Sequence, residues 1–352
     1  MMRNGHIAVL GAGSVGGYVG GHLARAGNDV SLVDPWCEHV HYMKQHGLHI
    51  TDARGEHTIP VNALHIHEVQ SLVRKPVDIA FVCSNSYDTE WLVTMLKPYL
   101  SPGGCVVSIQ NGMNEECIAG VVGWERTVGC IASTISVNLH RPGHISRFKG
   151  TVGGTHAVFR VGEPDGRMSV RVRELAERLD AVDVAKVTHN LQGERWTKLA
   201  TNAITHALLG STGLTNEEVL VKRGKMHRLG VRLAAEAVAV GNACGYEMDS
   251  ILGIEPGEWL AAGAGDEAAL ERVQHQLIEW SRGFTEFSRS SVGRDVEKGR
   301  RSEVEYTNGL VVAKGRAAGV PTPTHEVLTE LVKAIDRGQL QPDPKNIDGI
   351  EC

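Results

Sequence analysis

The stretch "HIAVLGAGSVGGYVGGHLARAGNDVSLVD", residues 6–34, constrains the fold more than any other part of the chain. Residues 6–10 read as a short apolar strand. Gly11, Gly13 and Gly16 follow in GxGxxG spacing, and a helix runs to about Ala26, where Gly27-Asn28 stops it. "DVSLVD" reads as a second strand. Each glycine meets a different demand. Gly11 permits a tight turn, Gly13 lets the backbone approach a pyrophosphate, and Gly16 lets helix and strand pack closely. A strand feeding a helix through such a loop, with an acidic strand end about twenty residues on, predicts a doubly wound sheet that binds a dinucleotide. Gly11, Ala12, Gly13, Ser14, Val15 and Gly16 are the candidate phosphate cradle, assisted by free N–H groups at the helix N-terminus. Asp34 ends the second strand. A carboxylate there accepts hydrogen bonds from ribose hydroxyls and repels a 2′-phosphate. Pro35 and Trp36 supply no cation, so NAD is expected over NADP. Gly17, Gly20 and Gly21 read as close packing on a sheet rather than as a membrane GxxxG.

The rest of this half repeats strand and helix signals. "DIAFVCS" (78–84), "GCVVSIQNG" (104–112) and "TVGCIAS" (127–133) read as buried strands. Ligands of doubly wound sheets lie off the carboxyl ends of the strands. This places Ser84, Asn85, Gln110, Asn111 and Gly112 beside the cofactor. "ISVNLHRPGHISRF" (135–148) reads as a hairpin turning at Arg-Pro-Gly-His, and "AKVTH" (185–189) as the last strand of the domain.

After His189 the pattern turns helical. Helices are expected at 192–211, 225–244, 267–282, 303–318 and 324–337, with Gly245, Gly283, Gly319 and Gly338 as C-terminal caps. Ser302 and Glu305 have capping-box spacing. The expected domains are 1–189 and 190–340, with 341–352 as a loose tail. "RWTKLATNAITHALLGSTGL" (195–214) is dominated by small and apolar residues, yet Lys198, Asn202 and His206 recur every fourth residue. Such residues share one helix face. Reduction of a ketone by hydride leaves negative charge on oxygen, which a lysine can stabilise and protonate. Lys198 is therefore the candidate general acid, or general base in the oxidative direction.

Charge and composition exclude several classes. The net charge of −5 carries no long run of one sign, and gives no electrostatic case for nucleic acid or an anionic membrane. No apolar run reaches the roughly 18 residues that span a bilayer. No signal peptide is expected ahead of the first strand. The seven cysteines form no CxxC, as suits reduced core thiols. A cytoplasmic protein is expected. Among 17 histidines only His65 and His67 suggest two ligands on one strand face, and no metal is expected.

The motifs "GAGSVGGYVGGHLARAGNDV", "QNGMN" (110–114), "RWTKLATNAITHALLG" (195–210), "SSVGRDVEKGRRSEVEYTNG" (290–309) and "GVPTPTHEVL" (319–328) together resemble the ketopantoate reductase (2-dehydropantoate 2-reductase) family over nearly the whole chain. The resemblance implies a Rossmann-type α/β domain followed by an all-α domain similar to the C-terminal domain of 6-phosphogluconate dehydrogenase. It implies that Lys198 is the catalytic lysine and that Asn202 positions substrate. Ser291 and Glu303 would bind polar groups of the substrate, with Glu303 counted in the catalytic set, and Asn111 would lie between cofactor and substrate. His206 stands where the family carries a second asparagine. Asn85 replaces a common lysine, and Asp34-Pro35 replaces an arginine suited to NADP. The stretch 249–285 is longer than usual. The expectation is an NAD-dependent oxidoreductase interconverting a small hydroxy acid or alcohol and its oxo form, acting as a homodimer. The alternatives are 2-dehydropantoate 2-reduction proper, a 3-hydroxyacid dehydrogenase, and a dinucleotide-sensing protein without turnover.

Overall fold

A computed structural model describes residues 5–149, 156–221, 224–282, 284 and 289–351. The chain divides into two compact units, Met1–Leu191 and Gln192–Cys352. Strands of the first unit are β1 (Ile7–Leu10), β2 (Val30–Asp34), β3 (Leu48–Asp52), β4 (Gly55–Ile59), β5 (Asn62–His65), β6 (Val77–Val82), β7 (Leu100–Ser108), β8 (Thr127–Ala132), β9 (Ser136–Arg141), β10 (His144–Lys149), β11 (Phe159–Gly162) and β12 (Ala185–Val187). Its helices are α1 (Ser14–Arg25), α2 (Cys37–His46), α3 (Thr89–Leu96), α4 (Glu115–Val122) and α5 (Val170–Asp180).

The main sheet has the order β12-β11-β8-β7-β6-β1-β2-β5. From β5 to β8 every neighbouring pair is parallel, and β11 then runs antiparallel to β8. Fully buried runs such as Ile7–Leu10 and Ile79–Val82 explain why these strands read as continuous apolar stretches rather than alternating ones. Chain order reverses between β1 and β6, which is where ligands bind in such sheets.

A second sheet, β4-β3-β10-β9, was not foreseen. The expected hairpin is present as β9 and β10, but β10 also pairs in parallel with β3. Helix α1 lies between the two sheets. A Cβ on Gly20 would stand 2.4 Å from Leu32 Cδ2 in the main sheet. One on Gly17 would stand 2.5 Å from Ile145 Cδ1, and one on Gly21 2.7 Å from Ile50 Cδ1, both in the smaller sheet. Close packing on a sheet does account for these glycines, but on two sheets rather than one. Buried polar groups secure the arrangement. Tyr18 on α1 donates to Asp52 Oδ2 at 2.9 Å, and Arg147 on β10 reaches Tyr18 Oη at 3.2 Å and Asp183 at 2.5 Å.

The second unit contains α6 (Leu191–Ala203), α7 (His206–Thr212), α8 (Asn216–Val221), α9 (Lys225–Ala243), α10 (Pro256–Gly263), α11 (Glu267–Ser281), α12 (Ser291–Glu297), α13 (Asn308–Ala318) and α14 (Pro323–Asp336). Three expectations are corrected here. The single helix at 192–211 is two helices, α6 and α7, broken at Ile204-Thr205. The buried amide of Asn308 donates to the Ala203 carbonyl at 3.2 Å, satisfying a group that the break frees. The helix at 303–318 begins only at Asn308, after a short 3₁₀ turn at Val304–Tyr306. Its expected capping box is absent: Ser302 Oγ accepts the Val304 N–H at 3.4 Å, and its hydroxyl donates to Asp336 Oδ2 at 2.8 Å, on α14. Gly319 ends α13 in a left-handed conformation at φ 70°, as a cap should, whereas Gly283 lies outside the described residues.

The third correction is the tail. Residues 344–347 form a 3₁₀ turn, and Ile347 is 2% exposed in a cluster with Leu208, Leu209 and Leu229. Asn346 Nδ2 and the Asp343 N–H both donate to the Ser211 carbonyl of α7, at 2.9 and 3.2 Å. Burial of an isoleucine contributes about 2 kcal/mol. Deleting residues 342–352 should therefore lower the melting temperature by roughly 4–8 °C. An unchanged melting curve would mean that the tail contributes nothing to α7.

Candidate functional site

In the first unit the glycine loop joins β1 to α1. Gly11 has φ +84°, in the left-handed region, and a Cβ there would stand 2.9 Å from the Ser84 nitrogen. A Cβ on Gly16 would stand 2.0 Å from the Gly11 carbonyl oxygen and 2.9 Å from Cys83 Cβ, so helix and strand meet in direct contact there. Gly13 differs from both: a Cβ built on it meets nothing within 4 Å. Gly13 is the residue before α1, and no side chain caps that helix. Open space in front of uncapped N–H groups is what a pyrophosphate requires, so the residues present fit a dinucleotide. The smaller sheet holds the loop. Ser14 Oγ accepts the Leu139 N–H at 3.0 Å, which leaves its hydroxyl proton available to a ligand. His39, fully buried, accepts the Gly143 N–H on Nδ1 and donates from Nε2 to the Ala12 carbonyl, each at 2.9 Å. Those two partners fix it as the neutral Nε2–H tautomer.

Asp34 ends β2 beside His65 of β5. It is 7% exposed, and its Oδ1 accepts the Trp36 N–H at 2.9 Å. Burial raises its pKa above the ordinary carboxylate value, opposed by the Trp36 N–H and by nearby histidines. His67 is not on the strand with His65. It lies in the following 3₁₀ turn, and the two Nδ1 atoms are 2.5 Å apart. Among the described residues no group of three or more His, Cys, Asp or Glu side chains is arranged to hold a metal ion, and no helix is long and apolar enough to cross a membrane.

The loops after β6 and β7 are stitched together. Gln110 does not face a ligand as expected. It is 4% exposed, and its amide donates to the Ser84 carbonyl at 3.0 Å and to Thr89 Oγ1 at 2.8 Å. Asn85 Nδ2 donates to Tyr87 Oη at 2.6 Å. The Asn111 carbonyl accepts from Asn114 at 2.7 Å and Ser86 at 3.3 Å, which fixes its backbone. The Asn111 side chain itself makes no hydrogen bond among the described residues. Ser84 Oγ turns to the Asn85 carbonyl at 3.2 Å.

In the second unit Lys198 and Asn202 lie one turn apart on α6, both half-buried. Trp196 anchors the helix: it is fully buried, and its Nε1 donates to the Ala237 carbonyl on α9 at 2.8 Å. The strip does not run on unbroken to His206, because the helix break intervenes and His206 opens α7. His206 is 6% exposed with no partner for Nδ1 among the described residues. Burial, followed by the Lys198 and Arg294 charges, lowers its pKa to about 3. It is a neutral imidazole. Ser291 opens α12 with its hydroxyl buried and unpartnered among the described residues. Glu303 is 4% exposed and precedes the 3₁₀ turn without making a capping bond. A helix-cap role therefore does not explain it.

Known proteins share this sequence pattern and fold. Residues 7–157 match the model described as ketopantoate reductase PanE/ApbA, and residues 190–336 match its C-terminal counterpart. The chain belongs to the ketopantoate reductase family. Members of this family are oxidoreductases acting on CH–OH groups with a nicotinamide dinucleotide. The 2-dehydropantoate 2-reductase of Archaeoglobus fulgidus is 27% identical over 339 residues, covering 96% of this chain and all of that one. A PanE/ApbA family ketopantoate reductase from Ralstonia eutropha JMP134 superposes with a TM-score of 0.77 at 25% identity, covering 95% of this chain and 99% of its own. D-mandelate dehydrogenase, solved with NADH and anilino(oxo)acetate, shares the fold with a TM-score of 0.78 at 22% identity, over 95% and 99% of the two chains.

Sequence reasoning missed residues that hold the loops of the first unit. His39, Leu139 and Asn114 act through hydrogen bonds spanning from 3 to 125 positions. Asn114 stood inside the quoted "QNGMN", and its spacing of three from Asn111 was the only available signal.

Proposed function

We propose that the chain is an NAD-preferring oxidoreductase of a small 2-oxo or 2-hydroxy acid. The observation that carries the reading is the second unit's group of chemically able side chains. It comprises Lys198 and Asn202 one turn apart, a neutral His206, and Ser291, with His206 Nδ1 and the buried Ser291 hydroxyl unpartnered among the described residues. Its relatives include a 2-dehydropantoate 2-reductase and, by fold, a D-mandelate dehydrogenase, both of which act beside a carboxylate.

A bound nicotinamide supplies or accepts the hydride. The chain's own residues do the rest. Gly11–Gly16 present backbone N–H groups to the pyrophosphate, and the Ser14 hydroxyl can add a donor. Asn111 offers its uncommitted amide. Lys198 gives a proton to the developing alkoxide during reduction and takes one back, as the neutral amine, during oxidation. Asn202 fixes the substrate oxygen, while Ser291 and Glu303 bind its other polar groups. As a neutral imidazole beside a cationic lysine, His206 can hydrogen-bond substrate without competing for the proton. A panel of 2-oxo acids, hydroxy acids and polyols with NADH/NAD and NADPH/NADP tests the reading. Tight NADH binding with no turnover across the panel would favour a sensing protein.

Cofactor choice should follow Asp34. NAD is expected to be preferred by at least about tenfold, since lost ribose bonds and phosphate repulsion each cost on the order of 1 kcal/mol. Because burial raises the Asp34 pKa, the carboxyl takes up its proton at a higher pH than usual, and the preference should narrow on acidification. Asp34→Arg should narrow or reverse it at neutral pH. Equal rates with NADPH in the wild type at pH 8 would exclude this role.

A further inference from the structure

The break between α6 and α7 is held from other helices of the second unit. Ala203, Asn308 and His325 are each fully buried, so no water competes for their polar groups. Asn308 Nδ2, on α13, donates to the Ala203 carbonyl at 3.2 Å and lies 3.3 Å from His325 Nδ1, on α14. His325 Nε2 lies 2.9 Å from the Leu233 carbonyl of α9. Both ends of this chain are carbonyls, which only accept. His325 must therefore carry its proton on Nε2 and accept on Nδ1. Asn308 must turn its NH₂ group inwards, with one proton for each neighbour, because a flipped amide would set oxygen against oxygen at Ala203. Burial lowers the His325 pKa to about 4, so the ring stays neutral near pH 7 and keeps its acceptor.

The backbone of His325 is fixed as well. Glu236 on α9 accepts the Thr324 N–H on Oε1 at 3.0 Å and the His325 N–H on Oε2 at 3.1 Å. Both are first-turn groups that α14 leaves unbonded, and a carboxylate suits them. Helix α9 thus seats α14, α14 presents an imidazole to α13, and α13 presents an amide to the break.

The break decides where the candidate site residues stand. Lys198 and Asn202 lie on α6, and His206 opens α7. Helix α7 packs on α12, which begins at Ser291: a Cβ on Gly210 would stand 2.8 Å from Val292 Cγ1, and one on Gly293 3.3 Å from Leu209 Cβ. No glycine or proline stands between Ala200 and Leu209 to stop a helix. A continuous helix would give the Ala203 carbonyl to the Ala207 N–H and turn His206 into line with Asn202 and Lys198. Asn308 takes that carbonyl instead.

We infer that Asn308 and His325 are positioning residues: together they keep the helix of the candidate proton donor broken, and so fix Lys198 and Asn202 relative to His206 and Ser291. The inference rests on the functional reading above and adds to it two buried residues that act through the α6 backbone.

The test takes the full chain with NADH and whichever 2-oxo acid of the panel is reduced fastest. Asn308→Ala and His325→Leu should lower kcat by about 10²-fold, the scale on which ångström-sized misplacement acts. KM should change far less, and the NADH dissociation constant should stay near wild type. Asn308→Ser has one hydroxyl proton for two acceptors and should fall between wild type and Asn308→Ala. His325→Asn sets an amide oxygen near the place of Nδ1 and should restore most of the kcat lost in His325→Leu. Because both residues act through one chain, the double variant should lose little more than the worse single one. A second readout needs no substrate. With isotope-labelled histidine, Asn308→Ala should move the ring resonances of His206 as well as those of His325. The inference is overturned if the variants melt earlier yet keep wild-type kcat, since the chain would then serve stability alone. It is equally overturned if NADH affinity falls along with kcat, or if the His206 resonances stay in place. Should Asn308→Ala fail to fold, Asn308→Ser and the contrast of His325→Asn with His325→Leu carry the same comparison. Absence of turnover across the panel in the wild type would remove the functional reading, and the His206 resonances would then decide by themselves whether Asn308 holds the break.

Discussion

Lys198→Ala is expected to lower turnover by about 10²–10⁴-fold, the usual contribution of a positioned acid or base, with loss of charge on the developing oxyanion adding to it. The fold should survive. Lys198 is half-buried, alanine is the better helix former, and α6 is anchored on the other side by Trp196. NADH affinity should also survive, because the candidate phosphate cradle belongs to the first unit. Turnover, NADH titration and thermal melting of the same preparation decide the matter. Unimpaired turnover in a folded variant would make the lysine part of a solvated helix face.

A second pair of substitutions separates fold from ligand within one loop. Gly16→Ala places a methyl group 2.0 Å from a backbone carbonyl and 2.9 Å from Cys83 Cβ, so the β1–α1 junction has to open. Overpacking of this kind costs about 1–3 kcal/mol and sometimes more. A lower melting temperature and lost NADH binding should appear together. Gly13→Ala meets nothing within 4 Å and has no positive φ to forbid it. Melting should stay near wild type while NADH affinity falls at least about 10²-fold, because the new methyl fills space that a pyrophosphate would take. If Gly13→Ala binds NADH normally, the phosphates do not lie against that residue.

These contrasts also explain what could be read from the sequence. The glycine loop was legible because its demands are local: one turn, one open approach and one close contact within six residues. The second sheet was not, because β3 and β10 are about a hundred residues apart and pair in parallel. "LHITD" alternates buried and more open positions, and carries no sign of its partner. The helix break escaped notice for a related reason. "ATNAITHALLG" is helix-favouring throughout, whereas the freed Ala203 carbonyl is satisfied by Asn308, 105 residues away. Ser302 had the spacing of a capping box, but its Oγ accepts the Val304 N–H and its hydroxyl donates to a carboxylate 34 residues on. In the candidate site, Lys198 and Asn202 stood out as polar residues in an apolar helix.

The smaller sheet gives the glycine loop two fixed points, Leu139 to Ser14 and Gly143 through His39 to Ala12, and neither requires a ligand. Ordering a backbone residue costs about 1–2 kcal/mol, and a loop that folds only around its ligand charges that cost against affinity. Here the protein meets it during its own folding. The dinucleotide therefore encounters a rigid receptor, and its binding entropy should carry little penalty from this loop. Loosening the β9–β10 turn would weaken the cofactor from a distance, through disorder alone, with every phosphate contact still available to form.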